Sequence, residues 1–407
     1  TGIGPNLSAQ GSDTNIDLAL TPKGTGALVA QASDGGTTIN ARGANAVDLQ
    51  MTRTAATQVA NGQNAVIING QRNTASGNYS SVYNGYNSGA TSFMSLVANG
   101  QNCSATNNNS AIINGYNNVA GGIYSIIGNG QNNTAGGAYN IIGGGYANSA
   151  TSNSAVTTQV GATTISSTAV TLTGSNASIK VGQYITGTGI NADTYVAAIS
   201  GTSLTLSQNA ASTQASTTLS FYTPHGVVVG GGNNQATGAY SFIGGGGNAG
   251  DATKRNLASG DWSFVGGYSG NTRSLRGIAV IPASQQPLAS VSGSSQTAML
   301  VLARQTTDAT ATVLCSDANA ATNNNQLIMP NNSAYFVRGS VIAGVTGGGD
   351  TSSWTFQGAI KRGANAASTV LVAAITPTLV AQDVGAATWG GVAITADTTN
   401  GGLAVTV

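Results

Sequence analysis

A hydrophobic pattern recurs with a step of fifteen residues between residues 67 and 152. In every copy an apolar residue stands three positions before a glycine, and an alanine stands five positions after that glycine. The apolar residues are Ile67, Val82, Val97, Ile112, Ile127 and Ile142, and the alanines are Ala75, Ala90, Ala105, Ala120, Ala135 and Ala150. A register that holds over six copies does not arise from composition alone. The pattern therefore predicts a repeat protein.

Each copy is predicted to form one turn of a coil made of short strands. Fifteen residues are too few for the paired helices of helical repeats, and runs such as Val66-Ile67-Ile68 are β-branched, which favours strands. Asn-Gly and Gly-Gly pairs between these runs supply the positive φ of tight turns. Successive turns would then stack at about 4.8 Å. We expect the Ile/Val and Ala columns to face inward and to form a shaft core that other copies of the chain complete.

Breaks in this register divide the chain into five predicted segments. Residues 1–50 are expected to form an N-terminal cap or attachment segment, and residues 51–152 the first part of the shaft. Residues 153–223 lose the glycine column and are expected to form an inserted β module, after which residues 224–276 resume the shaft. Residues 277–407 contain seven or eight short alternating runs, a pattern typical of a β-sandwich or jelly roll.

Alternating apolar residues also predict individual strands at both ends of the chain. Near the N-terminus, Ile16, Leu18 and Leu20 alternate with other residues and predict a strand with one buried face. In the last segment the predicted strands cover residues 298–303, 311–314, 326–329, 334–343, 353–361, 369–374, 391–396 and 403–407.

The repeats resemble two known kinds of trimeric protein. An aromatic residue followed by Ser, an apolar pair and the Gly column occurs in Tyr79-Ser80, Tyr124-Ser-Ile-Ile127, Tyr139-Asn-Ile-Ile142 and Tyr240-Ser-Phe-Ile243. This pattern is similar to the β-roll heads of trimeric adhesins and to repeats in bacteriophage tail fibres. The turn Gly187-Thr-Gly-Ile190 and the run Asn331-Asn-Ser-Ala-Tyr335 also resemble phage tail proteins. The resemblance implies a homotrimer with the apolar columns on or near its axis, bound to other virion proteins at one end and to a host-surface glycan or protein at the other.

Composition narrows the possible partners. Charged residues make up 6% of the chain and Glu is absent, which favours an all-β fold because Glu and Lys are good helix formers. No basic run exceeds two residues, so we expect no nucleic-acid binding. No apolar stretch reaches eighteen residues, so we expect no membrane insertion. The lack of an export signal at residue 1 favours a virion protein made in the host cytoplasm over a bacterial adhesin head.

Residues that carry catalysis or bind metals are sparse. The chain has one histidine, His225, and two cysteines, Cys103 and Cys315, in distant segments, so we expect no metal site, no cofactor and no Ser-His-Asp triad. Asp251 and Asp261 are the carboxylates to consider for glycoside hydrolysis, but the twelve Asp are scattered and no clustered pair is evident. We therefore predict that the chain is not an enzyme.

The C-terminal segment contains the candidate receptor-binding residues, which would form one site if loops bring them together: Tyr335, Arg338, Asp350, Lys361 and Arg362. Tyr335 is also a core candidate. The aromatic columns of the shaft, including Tyr86, Tyr116 and Tyr146, would stack sugars or pack along a seam.

The sequence thus predicts an elongated, all-β homotrimer with a repeat shaft, an inserted module and a C-terminal β-sandwich, acting as a tail fibre in host adsorption. A capsid-attached head fibre or decoration protein, and a polysaccharide-degrading tail spike, are the alternatives.

Overall fold

The computed structural model describes residues 20, 22–30, 41–150, 157–176, 178–179, 183–191, 194–222, 226–281, 292–308, 310–317 and 319–407. The fold is all-β, with 41% of residues in strands and 3% in helices, and the repeats form a β-solenoid of about 15 turns. Both the all-β prediction and the repeat coil are confirmed. The chain divides into two compact units, Thr1–Tyr124 and Ser125–Val407.

Within the first unit, turns pair in parallel with the next, at a fifteen-residue step from Val66 onward and at nineteen residues in the two earlier steps from Leu28 to Val47 and Val66. Ile67 pairs with Val82, Val82 pairs with Val97, and Ala75 pairs with Ala90. One row of strands consists of Leu28–Val29, Val47–Asp48, Val66–Ile67, Ser81–Val82, Leu96–Gln101 and Ala111–Tyr116, with Gly70–Gln71 and Gly85–Tyr86 beside it. The second row consists of Thr74–Ala75, Gly89–Ala90, Ser104–Ala105 and Val119–Ala120.

The N-terminal segment adds turns to the same coil. Leu28–Val29 pairs in parallel with Val47–Asp48, which in turn pairs with Val66–Ile67. Of the strand predicted from alternation near the N-terminus, Ile16 and Leu18 lie outside the described residues, and Leu20 is exposed.

The coil of the second unit continues directly across the insertion. Ile142 pairs in parallel with Val228, and Ser149 pairs with Gln235. Its first row is Ile126–Ile127, Ile141–Ile142, Val227–Val228, Phe242–Ile243, Phe264–Val265 and Ala279–Ile281, which Thr297–Met299 joins in antiparallel. Its second row is Thr134–Ala135, Ser149–Ala150, Gln235–Ala236 and Leu257–Ala258, and a 3-10 helix spans Ala252–Lys254.

The insertion has a sheet and a core of its own. Its six antiparallel strands are Thr157–Thr163, Ala169–Leu172, Tyr184–Thr186, Val196–Ser200, Ser203–Leu206 and Gln214–Tyr222. Alternate side chains point to one face, where Ile185, Leu204, Leu219 and Phe221 are fully buried together. The module therefore does not depend on the coil for its hydrophobic core.

The C-terminal residues form two antiparallel sheets around one hydrophobic cluster. Leu327–Ile328, Ala393–Asp397 and Gly402–Thr406 form one sheet, and Ser333–Gly344, Thr351–Arg362, Val370–Leu371 and Thr378–Gln382 form the other. The cluster takes Val337, Trp354 and Ile360 from one sheet and Ile394 and Leu403 from the other. Two 3-10 helices, Ala366–Ser368 and Val384–Thr388, lie between strands.

Most strands predicted for this segment are present, with shifted ends. The strand predicted for residues 311–314 is not formed. An isolated bridge occurs at Val313, and another at the neighbouring Cys315. Thr378–Gln382 was not predicted. It follows Pro377 and is exposed along its whole length, so it lacks the alternation that signals a half-buried strand.

Candidate interaction surfaces of the coil and the C-terminal sheets

The Ile/Val and Ala columns lie inside the coil of a single chain. All twelve predicted shaft-core side chains are 0% exposed: Ile67, Val82, Val97, Ile112, Ile127, Ile142, Ala75, Ala90, Ala105, Ala120, Ala135 and Ala150. Their burial requires no partner chain. A position of these columns at a trimer axis stays a prediction.

A buried asparagine column, three residues after each turn glycine, holds the turns together. Asn148 donates through Nδ2 to the carbonyls of Gly144, at 2.9 Å, and Gly231, at 3.0 Å. Its Oδ1 accepts from the backbone N–H of Asn234 at 3.0 Å. Asn234 and Asn256 repeat the arrangement in later turns. Each side chain therefore satisfies backbone groups that a tight turn would leave unpaired.

Cys103 stands in this asparagine column. Its thiol is buried and free, and its Sγ lies 3.4 Å from the carbonyl oxygen of Gly115. Burial raises the pKa of this thiol. The asparagine column itself was visible in the sequence as a recurrent Asn three residues after Gly, but its structural role was not predicted.

Polar side chains replace the apolar column in an early turn. Asp48 takes the position that Ile67 holds one turn later, and it is fully buried. Arg42 Nε donates to Asp48 Oδ2 at 2.9 Å, and both side chains are nearly inaccessible to solvent. Gln50, also buried, donates to the carbonyl of Asn73 at 3.0 Å and accepts from its N–H at 2.8 Å. Hydrogen-bonded polar side chains therefore replace apolar packing inside this turn.

Apolar side chains also cover the outside of the same strand row. In the first unit Ile68, Tyr83 and Ile113 follow the buried column by one residue and remain over 40% exposed. In the second unit Ile141 and Phe264 precede it by one residue and are exposed as well. From Val66–Ile68 to Ala279–Ile281, no turn has a charged residue at these three positions. Within each unit, we call the surface formed by the residues on either side of the buried column the outer apolar face.

An aromatic residue lies two residues before the outer apolar face in five turns, and Asn64, Met94 and Asn109 take this position in others. Tyr79, Tyr124, Tyr139, Tyr240 and Trp262 all adopt φ between 52° and 60°. This left-handed conformation costs about 1–2 kcal/mol for a residue with a side chain, and glycine would avoid the cost. In the second unit the rings of Tyr240 and Trp262 stack at 6.0 Å.

The structure does not bring the five predicted receptor-binding residues together. Tyr335 packs against the C-terminal cluster, and the Arg273 guanidinium lies 5.5 Å from its ring centroid. Burial lowers the pKa of Arg273 to about 10, so it stays charged at neutral pH. Arg362 Nη1 donates to the carbonyls of Met329, at 2.6 Å, and Gly401, at 3.1 Å. Both Tyr335 and Arg362 are therefore engaged within the C-terminal region.

Arg338, Lys361 and Asp350 are exposed but occupy separate parts of one long hairpin. Arg338 pairs with Gln357 on the neighbouring strand. Lys361 lies four residues beyond Gln357, so about 13 Å along the strand separates it from the position of Arg338. Asp350 lies in the turn at the far end, roughly 36 Å along the strand from Lys361. On the same outer face of this hairpin, Phe336 and Ile342 are 70% and 77% exposed.

Arginine links the coil to the C-terminal region within the second unit. Arg276 bridges Asp261, at 3.1 Å, and Asp317, at 3.5 Å, and lies 5.1 Å from the centroid of Trp262. Partial burial raises the pKa of Asp317, but hydrogen bonds from Asn325 and Asn319 and the charge of Arg276 outweigh it, so its pKa lies below the usual range. These ion pairs connect the coil to the C-terminal region.

Among the described residues, no three His, Cys, Asp or Glu side chains are close enough to hold a metal ion. His225 lies outside the described residues. Asp251 accepts hydrogen bonds from Thr253, and Asp261 binds the N–H of Ala239 as well as Arg276. In the part of the chain that the structure describes, no helix is long and apolar enough to cross a membrane.

Comparisons with protein-family models and with curated proteins found no match to this chain.

Proposed function

We propose that this chain is a structural fibre protein of a virus particle, assembled as a homotrimer through the outer apolar face of the coil. The observation that carries the proposal is the absence of charge from that face in every turn from Val66–Ile68 to Ala279–Ile281. Monomeric soluble proteins rarely expose apolar surface continuously, and large exposed patches mark interaction sites.

The thinness of the coil supports assembly. Each turn buries only an Ile or Val, an Ala and small polar side chains in its interior, so a single coil contributes little hydrophobic stabilisation per turn. Packing of the outer apolar faces would add a second core between chains. Three chains are favoured over two by the resemblance of the Tyr-Ser-x-Ile repeats to phage tail fibres and trimeric adhesin heads.

We further propose that the two C-terminal sheets form a β-sandwich-like tip. Their shared cluster supports this arrangement. Arg338 and Lys361, on the face of the hairpin that also carries the exposed Phe336 and Ile342, would be the charged groups available to a host glycan or protein. Other virion proteins would bind the opposite end of the fibre.

Gold-labelled antibody against residues 290–407 tests this function on particles assembled from the genome that encodes the chain. Label at the distal ends of tail appendages is the expected result. Label over the head would instead assign the protein to a capsid fibre or decoration, and particles without label would exclude a virion protein.

A further inference from the structure

An open groove of about 420 Å³ follows one corner of the coil in the first unit. Its floor is formed by Gly70, Gly85, Gly100 and Gly115. A Cβ on Gly70 would lie 1.9 Å from the carbonyl oxygen of Gly85, and one on Gly100 would lie 2.7 Å from Val97. A Cβ on Gly100 would point toward the buried Val97, inside the coil, so this position places no side chain in the groove. The groove follows three steps of the coil, about 14 Å.

One wall of the groove is a ladder of asparagine amides. Asn69 Nδ2 donates to Asn84 Oδ1 at 3.2 Å, and Asn84 Nδ2 donates to Asn99 Oδ1 at 3.3 Å. A primary amide has two N–H donors and two acceptor lone pairs, and a ladder bond uses one of each. Because Asn84 and Asn99 are exposed, their remaining donor and acceptor face solvent side by side.

The other wall alternates glutamine with tyrosine. Gln71, Tyr86 and Gln101 line the groove, and Tyr116 continues the column. Tyr86 and Tyr116 are each 41% exposed and stand two turns apart, about 9.6 Å. Arg72 donates to the Tyr86 hydroxyl at 3.3 Å, with its guanidinium over the ring, and this contact orients Tyr86.

We propose that this groove binds an extended, uncharged polysaccharide lying along the coil. The amide pairs offer adjacent donors and acceptors to adjacent sugar hydroxyls, and the tyrosine rings offer apolar surface to the C–H faces of sugar rings. The residues that line the groove, all within the described residues 41–150, carry no charge. A cation, Arg72, stands beside the groove, but it is engaged with the hydroxyl and the ring of Tyr86.

The groove is distinct from the surface proposed for trimer assembly. Its lining begins at the asparagine that follows the outer apolar face, and it shares no residue with that face. One chain forms it alone, so the proposal stands whether or not the chain belongs to a virus.

The test uses the fluorescently labelled full chain on an array of neutral and anionic oligosaccharides, followed by titration of the strongest neutral glycan. We expect binding to extended neutral glycans. The double variant Tyr86→Ala/Tyr116→Ala is expected to weaken the titrated affinity by about tenfold, because two stacking rings are lost. The pair Tyr86→Phe/Tyr116→Phe keeps both rings and is expected to keep most of the affinity.

Tyr83→Ala is the matched control. Tyr83 lies three residues before Tyr86, is 42% exposed and belongs to the outer apolar face. Its affinity should equal that of the unaltered chain. The proposal is overturned if the chain binds no neutral glycan or only anionic ones, if the double alanine variant binds normally, or if Tyr83→Ala loses binding equally.

Discussion

In most turns, one buried asparagine hydrogen-bonds to backbone groups of its own turn and of the next, and Ser88 and Cys103 take its place in two turns. Asn133 donates to the carbonyl of Gly145 at 2.9 Å, and its Oδ1 accepts from the N–H of Asn148 at 2.9 Å. The Gly145 carbonyl also accepts from the N–H of Gln131 at 2.9 Å, so the group that depends on the side chain is the N–H of Asn148. Stability of the coil at the residue scale therefore depends on this column.

Two substitutions in the asparagine column should act in opposite directions. Asn133→Ala leaves the N–H of Asn148 without its partner, and should destabilise the coil by about 1–3 kcal/mol. Cys103→Asn supplies the missing amide and should stabilise it by about 1 kcal/mol. Urea denaturation of both variants measures the difference. If Cys103→Asn destabilised as much as Asn133→Ala, the role assigned to the column would be incorrect.

Arg42 supplies the charge that makes a buried Asp48 tolerable. Arg42→Ala would leave Asp48 buried and unpaired, which should cost roughly 3–5 kcal/mol. Faster hydrogen–deuterium exchange in residues 41–75 would report the loss. Lys254→Ala removes a partly exposed ion pair with Asp251 and serves as the control, with no measurable change expected. Equal protection in Arg42→Ala and the unaltered chain would contradict the account.

At the scale of the elements, the insertion interrupts the chain but leaves the coil's register intact. Asn140 and Gly226, which are hydrogen-bonded across it, lie 86 residues apart. Deletion of the 71 residues 153–223 reduces this separation to the fifteen of an ordinary turn. The insertion has its own core, so its removal exposes no core residue of the coil.

We therefore expect the deletion variant to fold, with an unchanged assembly state and a thermal midpoint within a few degrees of the full chain. A deletion of equal length shifted to residues 143–213 removes Asn148 and Ala150 from the coil and should lower the midpoint strongly. Circular dichroism melts of both variants check this. Unfolding of the first variant would show that the insertion is integral to the coil.

The sequence predicted the elements better than the surfaces. The period, the buried columns and the turn glycines follow from local constraints that every turn repeats, so six copies identify them. The hairpin that separates Asp350 from Lys361 has no such repeat, and its length and register depend on pairing between distant residues. The candidate receptor residues were chosen by type, and residue type alone does not place side chains side by side.

At the scale of the whole molecule, the outer apolar face is the surface that the proposed assembly requires. Ile112 and Ile113 distinguish packing inside one coil from contact between chains. They are adjacent in the strand Ala111–Tyr116 and point to opposite sides. Ile112 is fully buried in the coil, whereas Ile113 is 42% exposed. Only Ile113 can contact a second chain without unfolding the first.

Ile113→Asp should therefore separate the chains and leave each coil folded, since the carboxylate would be buried only in the assembly. Ile112→Asp should unfold the turns around it, because it places an unpaired carboxylate in the coil's own core. Circular dichroism and sedimentation distinguish the two outcomes. An assembled Ile113→Asp variant would show that the outer apolar face is not the interface.

Sedimentation equilibrium of the unaltered full chain at micromolar concentration measures the assembly state. We expect a mass of three copies of the 40.0 kDa chain. A mass of a single 40.0 kDa chain with the coil intact would contradict it, because the outer apolar face would then be exposed to water without a partner.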